Sequence, residues 1–118
     1  MRDHTKLRAF ELADQLALAI YKSTASFPRD EQFGLTSQMR RSAVSIPSNI
    51  VEGCARDSSS DYVRFLDIAF GSLREVEYQA SLAYRLGYLA DYESLAGLMT
   101  ETSRVLAALI RSLRSTKP

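Results

Sequence analysis

The side chains that could support catalysis or metal binding are few in this sequence, and their spacing favours neither. His4 is the only histidine and Cys54 is the only cysteine. A cysteine or serine nucleophile needs a base, a di-iron helical bundle needs Glu-x-x-His pairs, and a zinc site needs several cysteine or histidine ligands. The five glycines are scattered and form no phosphate-binding loop. The sequence therefore predicts no catalytic residue, no cofactor, no metal and no small-molecule substrate, and we expect the protein not to be an enzyme.

Polar side chains at helical spacing form a second kind of candidate site. The stripe on a predicted second helix consists of Arg41, Ser45, Ser48 and Glu52, and that on a predicted third helix consists of Ser72, Glu75 and Gln79. These residues could line a binding site inside or between helical bundles. The favoured alternative is a buried polar network that fixes the register of the two helices, because a buried charge without a partner is very costly. Its ion pair would join Arg40 or Arg41 to Glu75 or Glu77.

The candidates for binding nucleic acid are the basic residues that we do not expect to form ion pairs within the protein. They are Arg56, Arg111, Arg114 and Lys117, followed by Arg40 and Arg41, for which the polar network would compete. No acidic residue follows Glu101, so the C-terminal end looks unopposed in the sequence. Contacts to phosphate groups are expected to dominate, since most aromatic residues fall on apolar lines. The alternative is a solvated helix end whose cations complement the helix dipole.

The composition is that of one ordinary soluble domain. The chain has 118 residues, 46% of them hydrophobic and 25% charged, with a formal net charge of +1. We therefore predict a single domain spanning residues 1–118. The N-terminus lacks the pattern of a signal peptide, and no apolar run approaches the roughly 20 residues that span a bilayer. The expected location is the cytoplasm, without membrane contact.

Four helices with short connections must position these residues. The predicted segments run from about Lys6 to Ser26, from Leu35 to Cys54, from the serines at 58–60 to Leu86, and from a cap at Asp91 to about Leu113. The stripe predicted to face the core on the first helix is Phe10, Ala13, Ala17, Ile20, Thr24 and Phe27. Short loops make consecutive helices antiparallel neighbours. The predicted fold is all-α, an antiparallel up-down-up-down four-helix bundle.

The third helix carries apolar residues on nearly all sides. Its core stripe from Tyr62 to Ala83 follows a strict three-four alternation, while Val63 and Phe70 lie on other sides. A helix of this kind needs more cover than three partner helices usually supply. We therefore expect a homo-oligomer in which a neighbouring subunit covers the helix. The alternative is that Val63 and Phe70 are simply exposed, which is common for single residues.

Pro47 lies inside the apolar periodicity of the second helix. A proline there cannot donate to the carbonyl of Ala43 and clashes with it, at a cost of roughly 3 kcal/mol. We expect a kinked but continuous helix, with the Ala43 carbonyl satisfied by a serine side chain or by water.

Two strings in the sequence resemble a known family. They are FPRDEQFGLTSQMRRSAVSIPSNIVEG at residues 27–53 and FLDIAFGSLREVEYQASLAYRLGYL at residues 65–89. The SIPSNI-x-EG run inside a helix is unusual, and the chain resembles the 23S rRNA intervening-sequence proteins. The positions that carry the family's motif, to which the resemblance attaches no catalytic role, include Pro47, Asn49, Glu52, Gly53 and Glu75.

The resemblance implies a four-helix bundle that assembles into a homopentamer. A related group serves as the accessory protein of diversity-generating retroelements, a basic pentameric barrel that binds RNA and a reverse transcriptase. The resulting hypothesis is a non-enzymatic homo-oligomer, with a pentamer as the expected state, that binds structured RNA such as rRNA. The alternative hypothesis is an adaptor that docks a partner enzyme such as a reverse transcriptase.

Overall fold

Four long helices account for most of the chain in the computed structural model, which describes residues 2–115. Helix α1 is Arg8–Thr24, α2 is Leu35–Cys54, α3 is Ser59–Arg85 and α4 is Tyr92–Ser115. Single turns of 3-10 helix at His4–Lys6 and Arg29–Glu31 precede α1 and α2, and the described residues contain no strand. The bounds of α2 are those predicted, whereas α1 is two residues shorter at each end than predicted.

Local capping explains where α3 and α4 begin and where α3 ends. The Ser58 hydroxyl accepts a hydrogen bond from the Asp61 amide at 3.1 Å, and the Asp91 carboxylate accepts one from the Ser94 amide at 3.1 Å. Gly87 follows α3 with φ of 83°, the left-handed conformation that glycine adopts without a steric penalty. The sequence predicted a cap among the serines at 58–60 and another at Asp91, and both are confirmed.

Consecutive helices run antiparallel, and α4 returns to pack against α1. At one end, the Arg2 amide donates to the Cys54 carbonyl at 2.8 Å. At the other, the Tyr88 hydroxyl donates to the Glu31 carboxylate at 3.1 Å, and its ring lies 5.3 Å from that of Phe27. The predicted up-down-up-down four-helix bundle is confirmed. We call these the Arg56 end and the Tyr88 end; the Arg56 end is where α1 and α3 begin and α2 and α4 end. None of the helices described is long and apolar enough to cross a bilayer.

The core is formed by one apolar stripe from each helix. The predicted stripes of α2, from Leu35 to Ile50, and of α3, from Tyr62 to Ala83, are buried throughout. The stripe of α1 is rotated from the prediction: Leu12 and Leu16 are fully buried, whereas Ala17 is only half-buried. Two neighbouring sides of α1 are rich in alanine and leucine. The hydrophobic periodicity alone therefore did not identify which side faces the core.

The bundle itself covers Val63 but only part of Phe70. Val63 is 5% exposed, and Phe70 is half-buried against the core. Val63 therefore needs no neighbouring subunit, because α3 packs against both α2 and α4, whereas cover of Phe70 by a subunit stays a prediction. The apolar residues of α3 that face solvent are others, among them Ile68 at 43% and Tyr78 at 62% exposure.

Helix α2 passes through Pro47 without a break. Beside the proline, the Asn49 Nδ2 donates to the Ser45 carbonyl at 2.8 Å and to the Ser45 hydroxyl at 3.0 Å. The predicted continuity of the helix is confirmed, whereas the partner of the Ala43 carbonyl, expected to be a serine side chain or water, stays a prediction.

Gly53 marks the closest approach of α2 to α3. A Cβ atom at this position would lie 2.9 Å from the Cβ of Phe65 and 3.3 Å from the carbonyl oxygen of Tyr62. Both atoms are fixed by the backbone of α3, so only glycine allows the two helices to pack this closely.

Candidate nucleic-acid interface

Arg56 lies where α2 ends, and its guanidinium is held by several contacts. Its Nη2 donates to the Glu52 carboxylate at 3.0 Å in an i, i+4 ion pair, so the expectation that no internal ion pair uses Arg56 is wrong. The guanidinium lies 4.7 Å from the centre of the Phe65 ring. Its Nε is buried and has no partner among the described residues. Arg56 is therefore a positioned cation, although its buried Nε is not accessible to a ligand.

Two further arginines, which the sequence analysis missed, stack on aromatic rings at the same end. Arg2 lies 4.1 Å from the centre of the Tyr62 ring and donates to the Arg56 carbonyl at 3.0 Å. Arg64 lies 4.6 Å from the centre of the Phe65 ring. Their position near Arg56 could have been inferred from the sequence, because the antiparallel topology places the N-terminus and the start of α3 beside the end of α2. Arg64 also forms an ion pair with Asp61 through its Nε at 3.5 Å. Stacking fixes the guanidinium groups, and those N–H groups that no protein atom accepts can bind phosphate.

Arg111 and Arg114 line a cleft between α3 and α4 near the Arg56 end. The cleft has a volume of about 180 Å³, and Asp67 and Phe70 form its α3 wall. Arg114 forms an ion pair with Asp67 across the cleft. Arg111 is exposed and forms no ion pair with the described residues. The sequence suggested that no acidic residue offsets the positive charges of the C-terminal end, but a carboxylate of α3 pairs with Arg114. Lys117 lies outside the described residues.

Arg40 and Arg41 lie away from this end, near the start of α2. The Arg40 Nε donates to the Thr24 hydroxyl at 2.8 Å, and its guanidinium lies 4.6 Å from the centre of the Tyr21 ring on α1. Arg41 lies 13 residues, or roughly 20 Å of helix, before the end of α2 at Cys54, and Arg56 follows that end. The structure thus brings Arg56, Arg111 and Arg114 to one end of the bundle and leaves Arg40 and Arg41 outside that group.

The predicted ion pair between α2 and α3 is wrong. Arg40 is bound to α1, and Glu77 pairs with Arg74 of its own helix at 2.8 Å. Arg41 and Glu75 are both exposed and form no ion pair within the described chain. The helices are joined instead by a neutral bond between the Ser45 and Ser72 hydroxyls at 2.8 Å. Neutral hydroxyls cost much less to bury than an ion pair, which explains why they lie at the interface.

The described residues offer little for covalent or metal chemistry. No group of three or more histidine, cysteine, aspartate or glutamate side chains in residues 2–115 could hold a metal ion. Cys54 is 1% exposed, and burial raises the pKa of its thiol. A buried thiol with a raised pKa is a poor nucleophile at neutral pH.

Comparison with known proteins supports the resemblance seen in the sequence. A crystal structure of a protein of unknown function from the S23 ribosomal protein family of Bacteroides thetaiotaomicron VPI-5482 superposes with a TM-score of 0.79. The two sequences are 27% identical, and the match covers 87% of this chain and 95% of the other. No curated protein matches the chain. The family described as the 23S rRNA-intervening sequence protein matches residues 5–108. The chain belongs to the 23S rRNA-intervening sequence protein family.

Proposed function

We propose that this protein is a non-enzymatic, homo-oligomeric helical protein of the cytoplasm that binds structured RNA, with rRNA as the first candidate. The observation that carries the proposal is the gathering of five arginines near one end of the bundle: Arg2, Arg56, Arg64, Arg111 and Arg114. Three of their guanidinium groups are held on aromatic rings, the arrangement that suits phosphate recognition. The family's link to 23S rRNA agrees with this chemistry.

Oligomerisation is supported by exposed apolar side chains on two parts of the bundle surface. On the α1–α2 side, Leu18 is 56% exposed and Val44 is 40% exposed; on α3, Ile68 and Tyr78 face solvent. A closed ring with cyclic symmetry uses two different faces of each subunit, so that one face of each copy packs on the other face of the next. In a pentamer, every arginine would occur five times around the axis, so the arginines at the Arg56 end would form a ring.

Light scattering coupled to size exclusion should give a mass several times 13.2 kDa, and five times that value for a pentamer. The exposed apolar faces supply the driving force, since burying such surface is favourable in proportion to its area. A mass of 13.2 kDa at micromolar concentration would exclude the oligomer.

Neutralising the C-terminal cations should weaken RNA binding in a salt-dependent way. In a variant with Arg111→Gln, Arg114→Gln and Lys117→Gln, affinity should fall for all RNAs alike. The slope of log affinity against log salt should flatten by up to about 0.7–0.9 per lost phosphate contact. We expect Arg114 to contribute least to this change, because Asp67 already pairs with it.

A matched control removes the same charge at the opposite end of the bundle. Lys22→Gln, Arg29→Gln and Arg85→Gln lower the net charge equally, and they should leave the salt slope nearly unchanged. Equal effects of the two triple variants would mean that net charge alone attracts RNA, and unchanged binding in the first variant would place the site elsewhere.

The second candidate function is an adaptor that docks a partner enzyme such as a reverse transcriptase. It is favoured by Phe33, whose side chain is 90% exposed in the α1–α2 connection, since exposed aromatic residues serve as anchors in protein interfaces. No measurable RNA affinity at low salt in the parent protein would remove the RNA proposal and favour the adaptor.

A further inference from the structure

The polar side chains of the α2–α3 interface form two groups, which differ in how many of their hydrogen-bonding atoms have partners. Toward the Arg56 end, Asn49, Ser45 and Ser72 form a continuous series of hydrogen bonds of 2.8–3.0 Å. Toward the Tyr88 end, five polar side chains line an open cleft of about 220 Å³: Gln38, Arg41, Ser42, Glu75 and Gln79. No hydrogen bond or ion pair joins the side chains of this second group to any other described residue.

Gln79 is the member of the cleft that most needs a partner. Its side chain is only 7% exposed, and its Oε1 atom is buried without a hydrogen-bond donor in the described structure. Buried polar atoms in native proteins are nearly always bonded, to protein, to ordered water or to a ligand. An unmet acceptor costs about as much as a lost hydrogen bond. The oxygen is closed to solvent in this structure, so the Gln79 amide must turn toward the cleft to accept a hydrogen bond from a donor that arrives from outside.

The charged side chains around the cleft indicate which kind of molecule could supply this hydrogen-bond donor. The Glu75 carboxylate, on the same helix as Gln79 and one turn away, adds a negative charge beside the amide oxygen. Across the cleft, α2 contributes the Arg41 guanidinium and the Ser42 hydroxyl, which can donate to an anion. The two charged side chains lie along one cleft but form no ion pair with each other. A ligand that bridges them must carry an ammonium group at one end and a carboxylate at the other.

We propose that this cleft binds a small zwitterion of the amino-acid class. The ammonium group would be bound by Glu75 and by the Gln79 amide oxygen, and the carboxylate by Arg41 and Ser42. The cavity is smaller than the roughly 300–1,000 Å³ of sites for drug-sized ligands, which restricts the occupant to a few heavy atoms. This site goes beyond RNA binding and lies away from the arginines at the Arg56 end.

Thermal unfolding and calorimetric titration of the assembled protein test the proposal. The probes are glycine, β-alanine and γ-aminobutyrate, which separate the two charges by increasing distances, with sodium acetate and ethylammonium chloride as single-charge controls. One of the zwitterions at about 10 mM should raise the midpoint by about 3 °C or more, beyond the sum of the single-charge controls. Arg41→Gln and Glu75→Gln should each abolish this shift, whereas the control variants Arg29→Gln and Glu93→Gln should retain it.

Gln79→Leu separates a ligand-binding role from a purely structural one. Removing the unmet acceptor should raise the midpoint of the ligand-free protein by about 2–6 °C and should eliminate the response to the zwitterion. A lower midpoint in that variant would show that the amide has an internal partner, and it would overturn the proposal. The proposal is also overturned if no zwitterion exceeds its controls, as happens when water or a neighbouring copy fills the cleft.

Discussion

Replacing Gly53 by alanine should destabilise the bundle by about 1–3 kcal/mol, although alanine is the better helix former. The added methyl group would lie 2.9 Å from the Phe65 Cβ, an atom that cannot move without the backbone of α3. The helices must therefore separate at their closest approach, and overpacking of this kind costs more than the roughly 1 kcal/mol that alanine gains in a helix. Urea unfolding followed by circular dichroism at one protein concentration measures the difference.

Two other helical glycines supply the controls for this experiment. A Cβ atom at Gly71 of α3 or Gly97 of α4 would meet no heavy atom within 4 Å. Alanine at either position should stabilise the protein by about 0.5–1 kcal/mol, because only the helix propensity changes. Stabilisation by Gly97→Ala together with destabilisation by Gly71→Ala would place a neighbouring subunit against α3. A stable Gly53→Ala variant would contradict the close helix contact.

The parts of the fold that obey local rules were predictable from the sequence. The caps at Ser58 and Asp91 and the left-handed Gly87 depend on residues within one turn, and the buried stripes of α2 and α3 depend on a regular period. The α1 stripe was less certain, since Leu12 and Leu16 compete with alanines on neighbouring sides of the same helix.

The contacts of the arginines were not predictable, because each depends on how one helix is rotated against another. Arg114 meets Asp67 from 47 residues away in the sequence, and Arg40 meets Thr24 from 16 residues away. A rotation of one residue, about 100°, would direct either guanidinium elsewhere. The sequence therefore identified Arg40, Arg56, Arg111 and Arg114 as candidates for binding RNA because they are basic. It could not show which of them already bind another side chain of the protein.

The same limit applies to the polar interface between α2 and α3. Its existence was predicted from the spacing of Ser45, Ser72 and Gln79, and the Ser45–Ser72 bond confirms a polar contact between the helices. The predicted ion pair was wrong because the charged members, Arg41 and Glu75, sit at the open edge of the interface, where solvent reduces the need for pairing. What could not be predicted is that Gln79 is buried and unpaired within an interface otherwise satisfied by neutral groups.

Ionisation of Tyr62 should weaken the folded state at alkaline pH. Its side chain is 2% exposed at the core, and burial, with a smaller effect of the neighbouring Cys54 thiol, raises its pKa from 10.0 to about 12. Because the pKa is higher in the folded protein than in the unfolded chain, the folded state binds this proton more tightly. The stabilisation is fully present below pH 10 and is lost as the pH rises toward 12.

The expected loss is about 1 kcal/mol by pH 11 and about 2 kcal/mol by pH 12, measured by urea unfolding across that range. Burial also raises the pKa of Cys54, which adds a loss of stability that begins above its ordinary value of 9.0.

Tyr62→Phe keeps the ring on which Arg2 stacks and should remove the larger part of this alkaline loss. Tyr78→Phe, at a side chain 62% exposed, is the matched control and should behave as the parent. Because the chain has only three lysines, few other cations lose their charge in this range. A parent protein whose stability is flat between pH 9 and 12, or a Tyr62→Phe variant that loses as much as the parent, would show that the hydroxyl reaches solvent in the folded state.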